Sequence, residues 1–383
     1  NQCLKERLET ILPRVMMESE ADVWLHASKE YNEDPTFRAL TPAQYPTARR
    51  ITMFAFVKDK DDVIRYSLSM PDEHLAEFYT PYWQFGKETQ MEALKRLLEQ
   101  YDPKKIAINA SADFAFGDGL SMGIYTSWMK ELDAKWLDRM ISDDLLAIKL
   151  MELRTETELK LIPEVVDVAF SVMNAMYTSE NVIPDVTTTQ DLEFFMMQKV
   201  KDMGLDYWFE PTMDLQREGE ENPHYTGVIR RGDLLHCDFG IRYMNLCTDT
   251  QRLAYVAKEG ETQIPDDLLH GMAVNNHFQD IVRSCMKAGK TGNEVLLEAL
   301  AKAKEEGIEA TLYSHPCNMY GHGPGPTIGL WKQQAAIPVK GDVELDNGTT
   351  YALELNVKVP CSKKDYYFYT CLLYTSPSPR DTE

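Results

Sequence analysis

Within the stretch HCDFGIRYMNLCTDTQRLAYV, residues 236–256, two aspartates interrupt what otherwise reads as a β-hairpin. Asp238 follows an apolar run and Asp249 lies between Thr248 and Thr250. Aspartate is depleted in strands, so two of them need a compensating partner. In GDLLHCDFG, period-2 alternation puts Leu234, His236 and Asp238 on one face. A chain reversal about Tyr243–Met244 sets Asp238 directly opposite Asp249. Facing like charges are destabilising at such a rung. A divalent cation removes that penalty, because carboxylates are hard oxygen ligands and two close metals can share one of them. On the hairpin alone, the plainer reading stands ahead: one aspartate caps a turn and the other is solvated.

Residues elsewhere shift that balance. SHPCNMYGHGPGP carries His315 and His322 in a Gly/Pro-rich loop, and NPHYTG carries His224. TTYALELNV embeds Glu354 in an apolar strand, where an unpaired carboxylate is costly. Three histidines and three strand-embedded carboxylates form a ligand vocabulary rather than a scatter of polar residues.

The chain has 383 residues, 44% of them hydrophobic, which is enough for two domains. No apolar run is long enough to span a membrane. The net charge of −21 disfavours nucleic acid as a partner. Seven scattered cysteines without CxxC pairs read as free, partly buried thiols. Compartment and oligomeric state, a homodimer included, stay open.

Residues 1–142 alternate helical and strand patterns, as in an α/β unit. SDDLLAIKLMELRTETELKLIPEVVDVAFSVMNAMY reads as a helical connection, with Pro163 as a break or first-turn residue. TTTQDLEFFMMQKVKDMG reads as a capped helix ending at Gly204. From Tyr207 strands dominate, followed by two helices and then strands again.

The pattern of Asp, ten residues, Asp, then His and Glu resembles the pita-bread metallopeptidases. These include methionine aminopeptidase, Xaa-Pro aminopeptidase and prolidase, with creatinase as a metal-free relative. The resemblance implies an α+β fold: a creatinase-like α/β domain over 1–142, then a pita-bread catalytic domain over 143–370. It implies two divalent metal ions, Mn²⁺ first, with Co²⁺, Fe²⁺ or Zn²⁺ also suited. Asp238 and Asp249 would hold the first, and Asp249, His315 and Glu354 the second. The partner would be a peptide, cleaved at Xaa-Pro bonds. His224 and His322 would be catalytic, positioning the substrate and stabilising its oxyanion.

In the family the metal-binding histidine is followed three residues on by glycine and seven on by a substrate-contacting histidine. His315 and His322 have the second spacing, with Asn318 where glycine is usual. The rival alignment puts His322 on metal and leaves Gly329 at the second position. Leu355 replaces the proline usual after the first glutamate. The family's last glutamate has no counterpart after Glu354 other than the terminal Glu383. The segment 371–383 begins CLLYTSPSPRD and reads as translated sequencing adapter, so the expectation is a truncated chain, impaired by loss of that ligand. Such a truncation would leave TTYALELNVKV at an unpaired sheet edge. The alternative function class is a non-peptidase of this fold, either a binding module or a creatinase-like metal-free hydrolase.

Overall fold

The computed structural model describes residues 1–376; the end of the adapter-like tail, 377–383, lies outside the described residues. Two compact units divide between Thr157 and Glu158. That is later than the 142/143 boundary read from the sequence. The helix Asp144–Glu152 and the turn after it belong to the first unit, where the buried Arg7 guanidinium donates to the Leu153 carbonyl at 2.9 Å.

The first unit holds a mixed sheet of β1 (Val23–Lys29), β2 (Ile51–Asp59), β3 (Asp62–Ser67), β4 (Thr80–Pro81), β5 (Ile106–Ile108) and β6 (Met140–Ser142). The order across it is β4-β3-β2-β1-β5-β6. The Asp59–Asp62 turn closes β2 on β3. Helix Gln90–Tyr101 starts at a Thr89–Glu92 capping box and packs Leu94, Leu97 and Leu98 into the core.

The long helical connection is two helices, Asp144–Glu152 of the first unit and Glu156–Met176, most of which belongs to the second. It breaks at Leu153–Thr155, and Pro163 lies inside helix Glu156–Met176. Pro163 removes one helical donor, but Ile162, Val165, Ala169, Val172 and Met176 bury that helix's apolar face, and packing holds it together. Helix Thr189–Asp202 forms as its sequence predicts, with a Thr188–Asp191 capping box and Gly204 at φ 70° beyond its end.

Strands β7 (Asp206–Tyr207), β8 (Thr212–Gln216), β9 (Leu234–Phe239), β10 (Ile241–Tyr243), β11 (Leu246–Cys247) and β12 (Thr250–Tyr255) follow. Sheet order is β12-β9-β8, with β11-β10-β7 alongside. Leu235, Cys237 and Phe239 pack under helices Glu156–Met176 and Thr189–Asp202, which turns His236 and Asp238 to the opposite face. A further sheet joins β13 (Glu309–Leu312), β14 (His315–Pro316), β15 (Thr349–Pro360) and β16 (Asp365–Ser376). Helices Asp266–Cys285 and Gly292–Glu305 cover it through Phe278, Val282 and Val295 against Leu353 and Val357. β16 pairs with β15 from Pro360–Asp365 to Thr349–Ser376, so β15 has no unpaired edge on that side. The first residues of the adapter-like segment thus continue a strand. Cys237, Cys285, Cys361 and Cys371 are free thiols.

Candidate metal centre

The hairpin turns at Met244–Asn245, not at Tyr243–Met244. Both turn residues have positive φ, 50° and 61°, the geometry of a two-residue hairpin turn. The register is therefore displaced, and Asp238 faces Gln251 rather than Asp249. Asp249 lies just before β12, on the same alternation as Gln251. The close approach there requires Gly240: a Cβ would sit 2.3 Å from the Thr248 carbonyl oxygen. Trp208 Nε1 donates to that same oxygen at 2.7 Å.

The second sheet brings the remaining groups. His315 on β14 pairs with Ala352, two residues before Glu354 on β15. The Glu354 N–H donates to Ser314 Oγ at 3.0 Å, which fixes the strand beside that loop. His315 Nε2 lies 3.2 Å from Glu354 Oε2 and 3.6 Å from Asp249 Oδ2. Its Nδ1 is 3.0 Å from the Pro316 carbonyl oxygen. Gln251 Nε2 donates to Glu354 Oε1 at 2.9 Å and to Asp238 Oδ2 at 3.2 Å. Cys371 stands opposite Glu354 on β16, its Sγ 3.7 Å from Asp249 Oδ1. The structure thus gathers Asp238, Asp249, His315 and Glu354 into one cluster.

The electrostatics are those of buried carboxyls that repel one another. Burial, then Glu354, pushes the Asp238 carboxyl up to about 7. Burial, then the charges of Glu354 and Asp238, pushes Asp249 well above the usual carboxylate range. Burial pulls the His315 imidazole down, but the Glu354 carboxylate beside it brings the net shift upward. Among the described residues, Asp238 Oδ1 is buried without a hydrogen bond, and buried His315 Nε2 has only its ion-pair neighbours Glu354 and Asp249. Such orphaned ligand atoms are costly unless something else meets them. Three carboxylates and one imidazole suit a divalent first-row metal.

The cluster opens on a cavity of about 480 Å³. Asp238, Gln251 and Glu354 line it on the side of the cluster, and Asp214, His224, His236, Trp331 and Tyr369 are among the residues of the remaining wall. His224 Nδ1 is 2.8 Å from Asp214 Oδ2, and its Nε2 is 3.3 Å from the Tyr369 hydroxyl. His322 is exposed; its ring stands edge-on 4.6 Å from His315 and 5.2 Å from Trp208. Partial desolvation of its ring by the surrounding loop, then the neighbouring His315, lowers its pKa. His224 therefore joins the cavity, and His322 joins His315.

Sequence reasoning missed Gln251, Asp214 and Cys371. Asp214 in TMDLQ carried the same signal as Asp238, an aspartate inside a strand. Gln251 and Cys371 carry no such signal. Their places follow only from the registers of β9–β12 and β15–β16.

The second unit coincides with a known family: the profile of metallopeptidase family M24 matches residues 160–370. A Mycoplasma pneumoniae protein named "Putative Xaa-Pro aminopeptidase" is 26% identical over 182 residues. That match spans 46% of this chain and 46% of the relative, so it reaches about half of the curated protein's length. Among solved structures, an X-Pro aminopeptidase from Thermotoga maritima superposes with TM-score 0.64 at 15% identity, covering 94% of this chain and 95% of that one. The amino-terminal domain of the FACT complex subunit SPT16 from chickpea superposes with TM-score 0.63 at 13% identity, covering 97% and 93%. These likenesses are of fold, the two-unit pita-bread architecture. With the family profile covering more than half of its residues, the chain belongs to metallopeptidase family M24.

Proposed function

We propose that this protein is a metal-dependent peptidase that removes the residue before a proline, as an Xaa-Pro aminopeptidase or prolidase does. The observation that supports it most is the cluster itself: Asp238, Asp249, His315 and Glu354 converge beside one cavity, which Asp238 and Glu354 line, with the Asp238 and Asp249 carboxyls raised by burial and by the neighbouring carboxylates.

Asp238 and Asp249 would hold one divalent ion, and Asp249, His315 and Glu354 a second, with Mn²⁺ the first choice and Co²⁺, Fe²⁺ or Zn²⁺ also suited. Bound there, such ions lower the pKa of a water and polarise a carbonyl. The protein's own contribution is placement. His224, held on Asp214, directs its Nε2 edge to the cavity wall at Tyr369. His322 stands beside His315 with a lowered pKa, which favours the neutral ring. The two histidines would hold the peptide and stabilise charge developing on the scissile carbonyl oxygen. Trp331 and Tyr369, stacked at 5.9 Å, give the cavity a flat apolar surface suited to a proline ring.

The test is a panel of Xaa-Pro and Xaa-Ala dipeptides and longer peptides with the Mn²⁺-loaded protein. Preference for proline after the first residue is expected. Equal turnover across the panel, or cleavage only after amino-terminal methionine, would refute the assignment; cleavage of dipeptides alone would select the prolidase branch.

A second reading, a non-peptidase of this fold, is favoured by one feature: the family's last glutamate has no counterpart here, and the residue opposite Glu354 is a thiol, Cys371. Metal analysis of the purified protein separates the two readings, since a binding module needs no stoichiometric metal.

A further inference from the structure

We propose that Asp214 is a positioning residue: it holds His224 as the Nδ1–H tautomer and so presents the ring's Nε2 to the cavity. The inference rests on the hydrolase reading above and extends it to a residue outside the metal cluster.

Asp214 lies in the middle of β8, with Met213 and Leu215 turned into the core. Across the ladder it faces His236 on β9. A carboxylate at such a position needs donors. The Oδ2 atom has two, His224 Nδ1 at 2.8 Å and His236 Nδ1 at 3.3 Å. An ionised carboxylate only accepts, so both Nδ1 atoms carry hydrogen. The imidazoles outweigh burial and keep the Asp214 carboxyl below its usual value, so it is an anion. Once Nδ1–H is committed to Asp214, Nε2 is the free edge of His224, and it is this atom that lies 3.3 Å from the Tyr369 hydroxyl.

The need for an anchor follows from the chain. His224 sits in the connection between β8 and β9, outside any strand. Its backbone N–H donates to Asn222 Oδ1 at 3.0 Å, a local turn that fixes the main chain but not the ring. Ring contacts at 5.1 Å to Tyr369 and 5.7 Å to Trp331 confine the imidazole plane. They do not choose between its two nitrogens; Asp214 does. The second carboxylate oxygen, Oδ1, is buried without a hydrogen-bond partner among the described residues, and Asp214 as a whole is 8% exposed. Asp214 therefore commits one oxygen to the two rings and keeps the other in the cavity wall.

The experiment combines a tautomer measurement with a double-mutant cycle on the full chain loaded with Mn²⁺. Nitrogen-15 NMR of the unsubstituted, metal-free protein should show the neutral His224 ring protonated at Nδ1. An Nε2–H ring there would overturn the proposal, whatever the activity. Asp214→Asn should leave metal stoichiometry unchanged and lower kcat on an Xaa-Pro-Xaa tripeptide about tenfold, the low end of what such supporting partners contribute, with KM little altered. Asp214→Asn in a His224→Ala background should cost nothing more, because Asp214 acts through that ring. Additive losses, lost metal in the single variant, or a third metal ion bound at these residues would each refute it. If the unsubstituted protein cleaves no peptide, the hydrolase reading fails, while the ring measurement still decides the role of Asp214.

Discussion

Gln251 faces Asp238 across the β9–β12 ladder, and its amide nitrogen donates to that carboxylate at 3.2 Å and to Glu354 at 2.9 Å. One neutral side chain thus ties together two carboxylates that come from different sheets. Hydrogen bonds to charged groups contribute roughly 1.5–3 kcal/mol each. Gln251→Leu should therefore weaken Mn²⁺ binding by about tenfold or more. Competition against a chelator measures it, and an unchanged affinity would remove Gln251 from the site.

The apo protein should lose stability as pH rises. Asp238 is raised from 3.8 to about 7 and Asp249 is raised as well, so between about pH 4 and 7 the folded state holds protons that the unfolded chain has released. Their stabilising effect is complete below the unfolded value and disappears as pH passes the folded one. His236 and His315, also raised, act with the same sign at higher pH. Asp214, which is lowered, acts only below that window. Urea midpoints in chelator from pH 5 to 8 should fall, and Mn²⁺ should flatten the profile. Asp249→Asn should also flatten it while abolishing metal retention and hydrolysis. A midpoint that rises with pH in chelator would contradict the cluster's electrostatics.

His315 and His322 should separate by assay. His315→Ala should lower metal content, since its Nε2 is within 3.2 Å and 3.6 Å of two ligand carboxylates. His322→Ala should keep the metal but slow turnover. The reverse pattern in elemental analysis would establish the rival alignment.

Cys371→Glu should raise metal stoichiometry. Its Sγ already lies 3.7 Å from Asp249 Oδ1, and its strand neighbour is Glu354. A carboxylate there would supply the further hard ligand that the family resemblance calls for. It should also destabilise the apo form by adding like charge. Unchanged metal content with a stable apo protein would show that this rung is not a ligand position.

Much of this was readable in the sequence, and the failures have identifiable causes. Asp238, Asp249, His315 and Glu354 stood out because carboxylates in apolar strands and histidines in a Gly/Pro-rich loop conflict with local preference. The helix Thr189–Asp202 was readable because capping residues act on their immediate neighbours. The hairpin register was misplaced because Met244–Asn245 adopts positive φ without the glycine that usually announces such a turn. Pro163 suggested a break, yet burial of its helix's apolar face outweighs one lost hydrogen bond.

The sequence by itself determined which residues could serve as ligands and that Asp238 shares a strand face with His236, because side-chain alternation is a property of one strand. Tertiary structure alone decided their partners: Gln251 rather than Asp249 opposite Asp238, Cys371 opposite Glu354, and Asp214 beneath His224. The physical reason is register. Glu354 reaches Gln251 across more than a hundred residues of chain, and such a pairing is set by how sheets pack and slide into place, not by any local propensity.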